Sequence, residues 1–196
     1  MKSAPAFIRY KGKSFIRLFR QNSENGFFFS STSEAEFYHN NSSDEAFSIL
    51  GMMDDIERHD KKYEFIIYYE EYDYRVHWTQ NVSPLKYSKI EVNPSLMGYK
   101  SLGESYYRFQ GLARSMIENS FLDGDSEGNY YWRYSIGTLI ALKNNDIPAY
   151  CTDSEVYEVT KVELWMRVKD ISIFSCKNTI SNTICPFYVT IIISYF

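Results

Sequence analysis

The stretch Val159-Thr160-Lys161-Val162-Glu163-Leu164-Trp165-Met166-Arg167-Val168-Lys169 alternates apolar and polar side chains. Because successive side chains of a β-strand point to opposite faces of a sheet, this period of two predicts a strand with one face in the core. Trp165 is then expected on the polar face. The two sets of alternate positions are Val162, Leu164, Met166 and Val168 against Lys161, Glu163, Trp165, Arg167 and Lys169.

Further short runs of β-branched and aromatic residues flank this stretch, bounded by Gly, Pro, Asn, Asp and Ser, which is typical of strands. Many strands with long connections predict a mainly β chain that folds as an antiparallel β-sandwich or jelly-roll-like domain. The runs are Phe7–Tyr10, Ser14–Arg20, Gly26–Ser30, Tyr63–Tyr69, Tyr74–Gln80, Tyr106–Arg114 and Tyr130–Gly137.

One amphipathic helix is predicted near residues 43–59. Ser42 with Glu45 three residues later matches a capping box. Apolar residues then recur at helical spacing, which indicates one buried helix face: Ala46, Ile49, Leu50, Met53 and Ile56.

Composition limits the domain count and the class of partner. The 196 residues are 44% hydrophobic and 23% charged, which predicts one folded domain, taken as residues 5–170. The net charge of −4 argues against a nucleic-acid partner held by a general basic field. No apolar run reaches the roughly 18 to 20 residues of a transmembrane segment.

Residues 171–196 form an apolar C-terminal tail. Three interpretations stay open: the tail is a last strand, an aggregation-prone segment, or a piece outside the domain.

The sequence allows two predictions of the compartment in which the protein is located. No apolar segment of the signal-peptide type follows Met1, which predicts a cytoplasmic protein. The protein would be extracellular or at the cell surface if the sequence is a fragment. The cysteines fit neither a disulfide framework nor a C-x-x-C metal motif: they are Cys151, Cys176 and Cys185.

The segment 123–129 carries carboxylates at alternate positions, Asp123, Asp125 and Glu127, next to glycines. Such carboxylates can converge on a calcium ion. Position twelve of an EF-hand loop would be Tyr134 rather than glutamate, so an EF-hand is excluded. The segment is therefore either an acidic surface turn or a calcium site of another type.

The chain shows no recognised catalytic motif. Its three histidines are far apart in sequence, and neither H-E-x-x-H nor G-x-S-x-G occurs. We therefore expect a protein that is not an enzyme.

Tryptophans within strands are the strongest candidates for ligand contacts. Trp132 lies next to Tyr131 and Arg133, and Trp165 lies on the predicted polar face. Flat aromatic rings beside polar side chains can stack on sugar rings or line a peptide groove. Core packing is the competing interpretation.

An ordered series of short motifs spans residues 15–168: Trp78-Thr79-Gln80, Gly111-Leu112-Ala113-Arg114-Ser115, Phe121-Leu122-Asp123-Gly124, Trp132-Arg133-Tyr134-Ser135-Ile136-Gly137, Ile147-Pro148 and Val162-Glu163-Leu164-Trp165. The series resembles a poorly characterised lectin-like β-sandwich module of protist and marine-invertebrate surface or secreted proteins. The resemblance implies a binding module without catalytic residues.

These observations predict a non-catalytic recognition module that binds carbohydrate or glycoconjugate. Trp165, Trp132, Tyr131 and Arg133 would contact the ligand, and the 123–129 segment would hold calcium. The alternative is a cytoplasmic structural or scaffold protein that binds other proteins.

Overall fold

The computed structural model describes residues 6–39, 46–86, 97–115, 119–125 and 133–169. Within these ranges the protein is mainly β, and every strand pair is antiparallel. The strands are β1 (Phe7–Tyr10), β2 (Lys13–Asn22), β3 (Tyr38–His39), β4 (Ala46–Ser48), β5 (Tyr63–Tyr69), β6 (Tyr74–Gln80), β7 (Lys100–Ser101), β8 (Phe109–Arg114), β9 (Ser120–Asp125), β10 (Ile136–Thr138), β11 (Ile147–Cys151), β12 (Val156–Val159) and β13 (Lys161–Arg167).

An eight-stranded sheet carries most of the fold. Its strands follow the order β3-β4-β2-β13-β5-β6-β7, and β1 pairs with β2 beside β4. Residues 161–167 of the alternating stretch form β13, the middle strand of this sheet, so the prediction of a half-buried strand there is confirmed. The prediction of a mainly β, antiparallel fold is confirmed as well, while the sandwich or jelly-roll arrangement stays a prediction.

A β-bulge in β2 sets which side chains meet across the centre of the sheet. Leu164 pairs with Phe19, whereas Trp165 pairs with Arg17, so Leu18 is an extra residue on β2. Both Leu18 and Phe19 are thereby buried in the main core, although they are neighbours in sequence.

A three-stranded sheet, ordered β10-β9-β8, packs on the core face of the large sheet. Two fully buried glutamines of the large sheet fix it there by bonding to its backbone. Gln21 Nε2 donates to the Thr138 carbonyl at 3.0 Å, and the Thr138 N–H donates back to Gln21 Oε1 at 2.9 Å. Gln80 makes the same pair of bonds, at 3.0 Å each, with the Leu112 carbonyl and N–H. Each glutamine side chain thus makes, with one residue of the small sheet, the pair of hydrogen bonds that a neighbouring strand would otherwise make.

The helix predicted near 43–59 is wrong over its described residues. Ala46–Ser48 is the strand β4, and Leu50–Met52 is a 3₁₀ turn. Ser48 Oγ accepts from the Leu50 N–H, a local bond that competes with helix formation. Gly51 adds low helix propensity, and its bare Cα lies against the ring of Phe37.

The α-helix of the described residues is α1 (Thr32–Glu36), with Ser31 as its N-cap. Its Ser31 side chain accepts from the Glu34 N–H at 3.1 Å, as capping residues do. No helix in the described ranges is long and apolar enough to cross a membrane. The C-terminal tail 171–196 lies outside the described residues.

Candidate functional site

The large sheet presents a second ordered surface on the side opposite the main core, which we call the polar face. Four adjacent strands, β2, β13, β5 and β6, contribute to it in three cross-strand rows. The rows are Arg20, Glu163, Tyr68 and Arg75; then Arg17, Trp165, Ile66 and His77; then Phe15, Arg167, Glu64 and Thr79.

The centre of the polar face is apolar. Phe15, Ile66 and Trp165 form a small buried cluster there. The Tyr10 ring lies 5.5 Å from the His77 ring, although β1 and β6 are four steps apart in the sheet. The sheet therefore curls toward this face, and the β1–β2 hairpin covers part of it.

Glu64 is the centre of one ionic cluster on this face. Its Oε1 atom accepts from Lys13 Nζ at 2.8 Å and lies 2.9 Å from His77 Nε2, and its Oε2 atom accepts from Arg167 at 2.9 Å. Burial acts to raise the pKa of Glu64, but the bonds from His77, Lys13 and Arg167 outweigh it and lower the pKa from 4.5 to about 2. The carboxylate is thus a fixed anion and a poor proton acceptor.

This cluster predicts a loss of stability in acid. Because the folded pKa of Glu64 is lowered, its contribution is complete above the unfolded pKa of 4.5 and is lost as the pH falls toward about 2. We expect the wild type to exceed Glu64→Gln in free energy of unfolding near neutral pH, with a gap that shrinks between pH 4.5 and 2. Urea unfolding at each pH measures this gap.

The exposed Glu104→Gln variant is the control for that series. A gap between wild type and Glu64→Gln that stays constant down to pH 2 would contradict the assignment.

Glu163 is the centre of a second ionic cluster. Its Oε1 atom accepts from Arg17 at 3.1 Å and from Arg20 at 3.2 Å, and its Oε2 atom accepts from the Trp165 indole N–H at 2.9 Å. The Arg17 guanidinium also lies 5.8 Å from the Trp165 ring centre. Trp165 is thereby held in one orientation by both a hydrogen bond and a cation–π contact.

An open groove of about 770 Å³ lies beside the β6–β7 edge of the sheet. Arg108 lies in it with a φ of 56°, in the left-handed region that is uncommon for residues other than glycine. Strained backbone of this kind concentrates at ligand sites. The groove is lined by Gly98, Tyr99, Ser101, Gly103, Ser105, Tyr106, Arg108, Phe109 and Gln110.

The structure places Trp165 on the polar face, between Glu163 and Arg167, as the alternation predicts. Its side chain is nevertheless buried, with 5% of the residue exposed, so little ring surface is open to a ligand. Arg133 is half-buried, and its carbonyl accepts from the Gly124 N–H at 3.0 Å. Tyr131 and Trp132 lie outside the described residues. The assignment of these four residues to one ligand site therefore stays a prediction.

Asp123 is a buried strand residue of β9 and pairs with Ala113 of β8. Asp125 ends the same strand, and Glu127 lies outside the described residues. Across the described ranges, no group of three or more His, Cys, Asp or Glu side chains is placed to hold a metal ion. Binding of calcium by the 123–129 segment stays a prediction.

Sequence reasoning did not select Lys13, Arg17, Arg20, Glu64 or His77. The signal for two of them lies in the hairpin β5–β6, where the charged Glu64 interrupts the mostly apolar β5 and His77 stands between Val76 and Trp78 in β6. Their pairing on one face depends on the register, which follows from the turn at Glu70–Tyr72.

No protein-family model matches this sequence, and no curated protein or solved structure is significantly similar to it.

Proposed function

We propose that this protein is a non-catalytic recognition domain that binds carbohydrate in the groove lined by Tyr99, Tyr106 and Gln110. The observation that carries the proposal is the groove itself, in which aromatic rings and polar side chains share one open concave surface. Ligand sites of small molecules combine apolar walls with a few convergent polar groups in this way. The apolar face of a sugar ring would lie on an aromatic wall, and its hydroxyls would bond to the polar side chains.

The aromatic wall of the groove is held rigidly. Tyr99 is half-buried and offers ring surface to a ligand, whereas Tyr106 is only 6% exposed and ties the groove to strand β6, because its hydroxyl accepts from the His77 N–H at 2.9 Å. The Tyr99 ring packs edge-on against Phe109, with 5.6 Å between ring centres. A wall that is ordered before binding lowers the entropy cost of holding a ligand.

The test is a panel of neutral glycans, measured by the shift in thermal midpoint and by calorimetry on the wild type, Gln110→Ala and Tyr99→Ala. A ligand that binds the folded state raises the midpoint. Loss of one hydrogen bond or one stacking contact is expected to weaken binding by about tenfold, which corresponds to about 1.4 kcal/mol. Calcium and EDTA arms test whether the 123–129 segment contributes.

Tyr72→Ala is the matched control, because Tyr72 is an exposed tyrosine outside the groove. Equal affinities of Gln110→Ala, Tyr99→Ala and wild type for a bound glycan would exclude the groove. Absence of binding by every glycan would contradict the carbohydrate assignment.

The second candidate function is protein binding, and one observation favours it. Tyr72 is about half exposed, and its ring contacts that of Tyr157 edge-on, with 5.4 Å between ring centres. Exposed tyrosines are common anchors of protein interfaces. A protein partner lost on Tyr72→Ala but kept on Gln110→Ala would support this function instead.

A further inference from the structure

The polar face is positively charged, although the chain as a whole carries a net charge of −4. Lys13 and Arg167 share the single carboxylate of Glu64, and Arg17 and Arg20 share that of Glu163. Arg75, at the edge of the same face, is balanced by Asp73. With His77 counted as neutral, the two clusters hold two positive charges more than their carboxylates neutralise.

These excess charges are partly removed from water. The four cationic side chains that share the two carboxylates are between 15 and 34% exposed. A cation without a full complement of partners is costly to desolvate. An anionic group that approaches either cluster would therefore gain more than it would at an exposed lysine.

Arginine side chains on the same face also retain N–H groups that make no hydrogen bond. Within the described part of the chain, the Nε atoms of Arg17 and Arg167 are buried without a hydrogen-bond partner, whereas the unpartnered Nδ1 of a neutral His77 that donates from Nε2 to Glu64 is an acceptor. His77 itself is 97% buried, and the rings of Tyr10 and Phe15 lie against it. The ionic clusters thus leave polar nitrogens unsatisfied at the point where positive charge is in excess.

We propose that the polar face binds an acidic polysaccharide, with one sulfate or carboxylate group at the Arg17–Arg20 cluster and another at the Lys13–Arg167 cluster. This site is separate from the groove, so the inference goes beyond the proposed function and adds a second surface for another class of carbohydrate. The two clusters are about 14 Å apart, from a rise of about 3.3 Å per residue and about 4.8 Å between strands. An extended polymer reaches both, whereas one small anion reaches a single cluster.

Nucleic acid fits this face less well than an acidic polysaccharide. Double-stranded DNA brings about one charge per 1.7 Å and is held by long tracks of cations. Binding of single strands adds stacking of bases on open aromatic rings. Here the central rings, Phe15 and Trp165, are buried.

The test measures binding of heparin, a sulfated polysaccharide, to the full chain at 50 and 200 mM salt. Lys13→Ala and Arg20→Ala each remove one cation and leave every carboxylate with a second cationic partner. We expect each variant to bind heparin at least fivefold more weakly than wild type, and the wild type to bind more weakly at the higher salt. Lys143→Ala, at an exposed lysine of the Lys143–Asn145 turn, is the control and should bind as wild type does.

Thermal unfolding first shows that each variant is folded. Heparin affinity that is unchanged in Lys13→Ala and Arg20→Ala would overturn the proposal, as would equally tight binding of a DNA duplex. If neutral glycans bind the groove and heparin does not bind at all, the inference fails while the proposed function stands. If heparin binding is lost in Arg20→Ala but kept in Gln110→Ala, the polar face is the heparin site. That conclusion holds whether or not neutral glycans bind in the groove.

Discussion

Replacement of Gln80 by leucine is expected to lower the free energy of unfolding by roughly 3 to 6 kcal/mol. The amide of Gln80 bonds both backbone groups of Leu112, and its Oε1 also accepts from the Trp78 indole N–H at 2.8 Å. Leucine has a similar size, so the substitution leaves three buried polar groups without partners rather than a cavity. The cost follows because each such group loses its hydrogen bond with water without regaining one.

Chemical denaturation gives the free energy, and a thermal scan should show a fall in midpoint of about 10 °C or more. Gln110→Leu is the matched control, since Gln110 is an exposed glutamine on β8. Gln21→Leu should resemble Gln80→Leu, because Gln21 makes the equivalent pair of bonds with Thr138. If Gln80→Leu unfolds at the midpoint of Gln110→Leu, these bonds do not hold the small sheet in place.

Replacement of Glu64 by leucine is expected to cost about 3 to 5 kcal/mol, because it leaves a buried cation without its partner. Arg167 is the residue most affected, with 15% of its side chain exposed and its Nη1 atom 2.9 Å from the Glu64 carboxylate. Lys13 is more exposed and can turn into solvent.

A double variant separates this loss of charge from a loss of packing. Glu64→Leu combined with Arg167→Met removes both charges, and we expect it to be more stable than Glu64→Leu alone, since an apolar pair of similar volume often replaces a buried ion pair without loss. The double-mutant cycle on urea unfolding measures the coupling energy. Strictly additive losses would show that the two side chains do not interact energetically.

Much of the fold could be predicted from the sequence, because strand periodicity is a local property. The alternation in 161–167 identified β13, and the runs 63–69 and 74–80 coincide with β5 and β6. The helix near 43–59 failed because its apolar spacing fits more than one structure. Ala46 and Leu50 are buried as a helical face would require, but pairing of β4 with β2 makes Ala46 a strand residue, and Leu50 begins a 3₁₀ turn.

The candidate site was less predictable, because it depends on long-range pairing. Glu64 and Arg167 are 103 residues apart in sequence, and their ion pair forms since β13 lies beside β5. The polar position of Trp165 was foreseen, but its burial follows from the curl of the sheet and from the β1–β2 hairpin, neither of which has a local signal. The groove residues 98–103 lie in the long connection between β6 and β8, and connections of such length often carry function, but no local signal tells which part of it is concave.

The position of β13 in the middle of the large sheet also bears on how the protein is made. During synthesis, β2 and β5 leave the ribosome long before β13, the strand that lies between them in the sheet. Until β13 is made, one edge of each of these strands has no partner for its backbone hydrogen bonds. Such edges invite pairing with other chains, and contacts this distant in sequence slow folding. Release of residues 161–167 is therefore the event that completes the sheet, and nascent chains stalled before it are expected to need a chaperone.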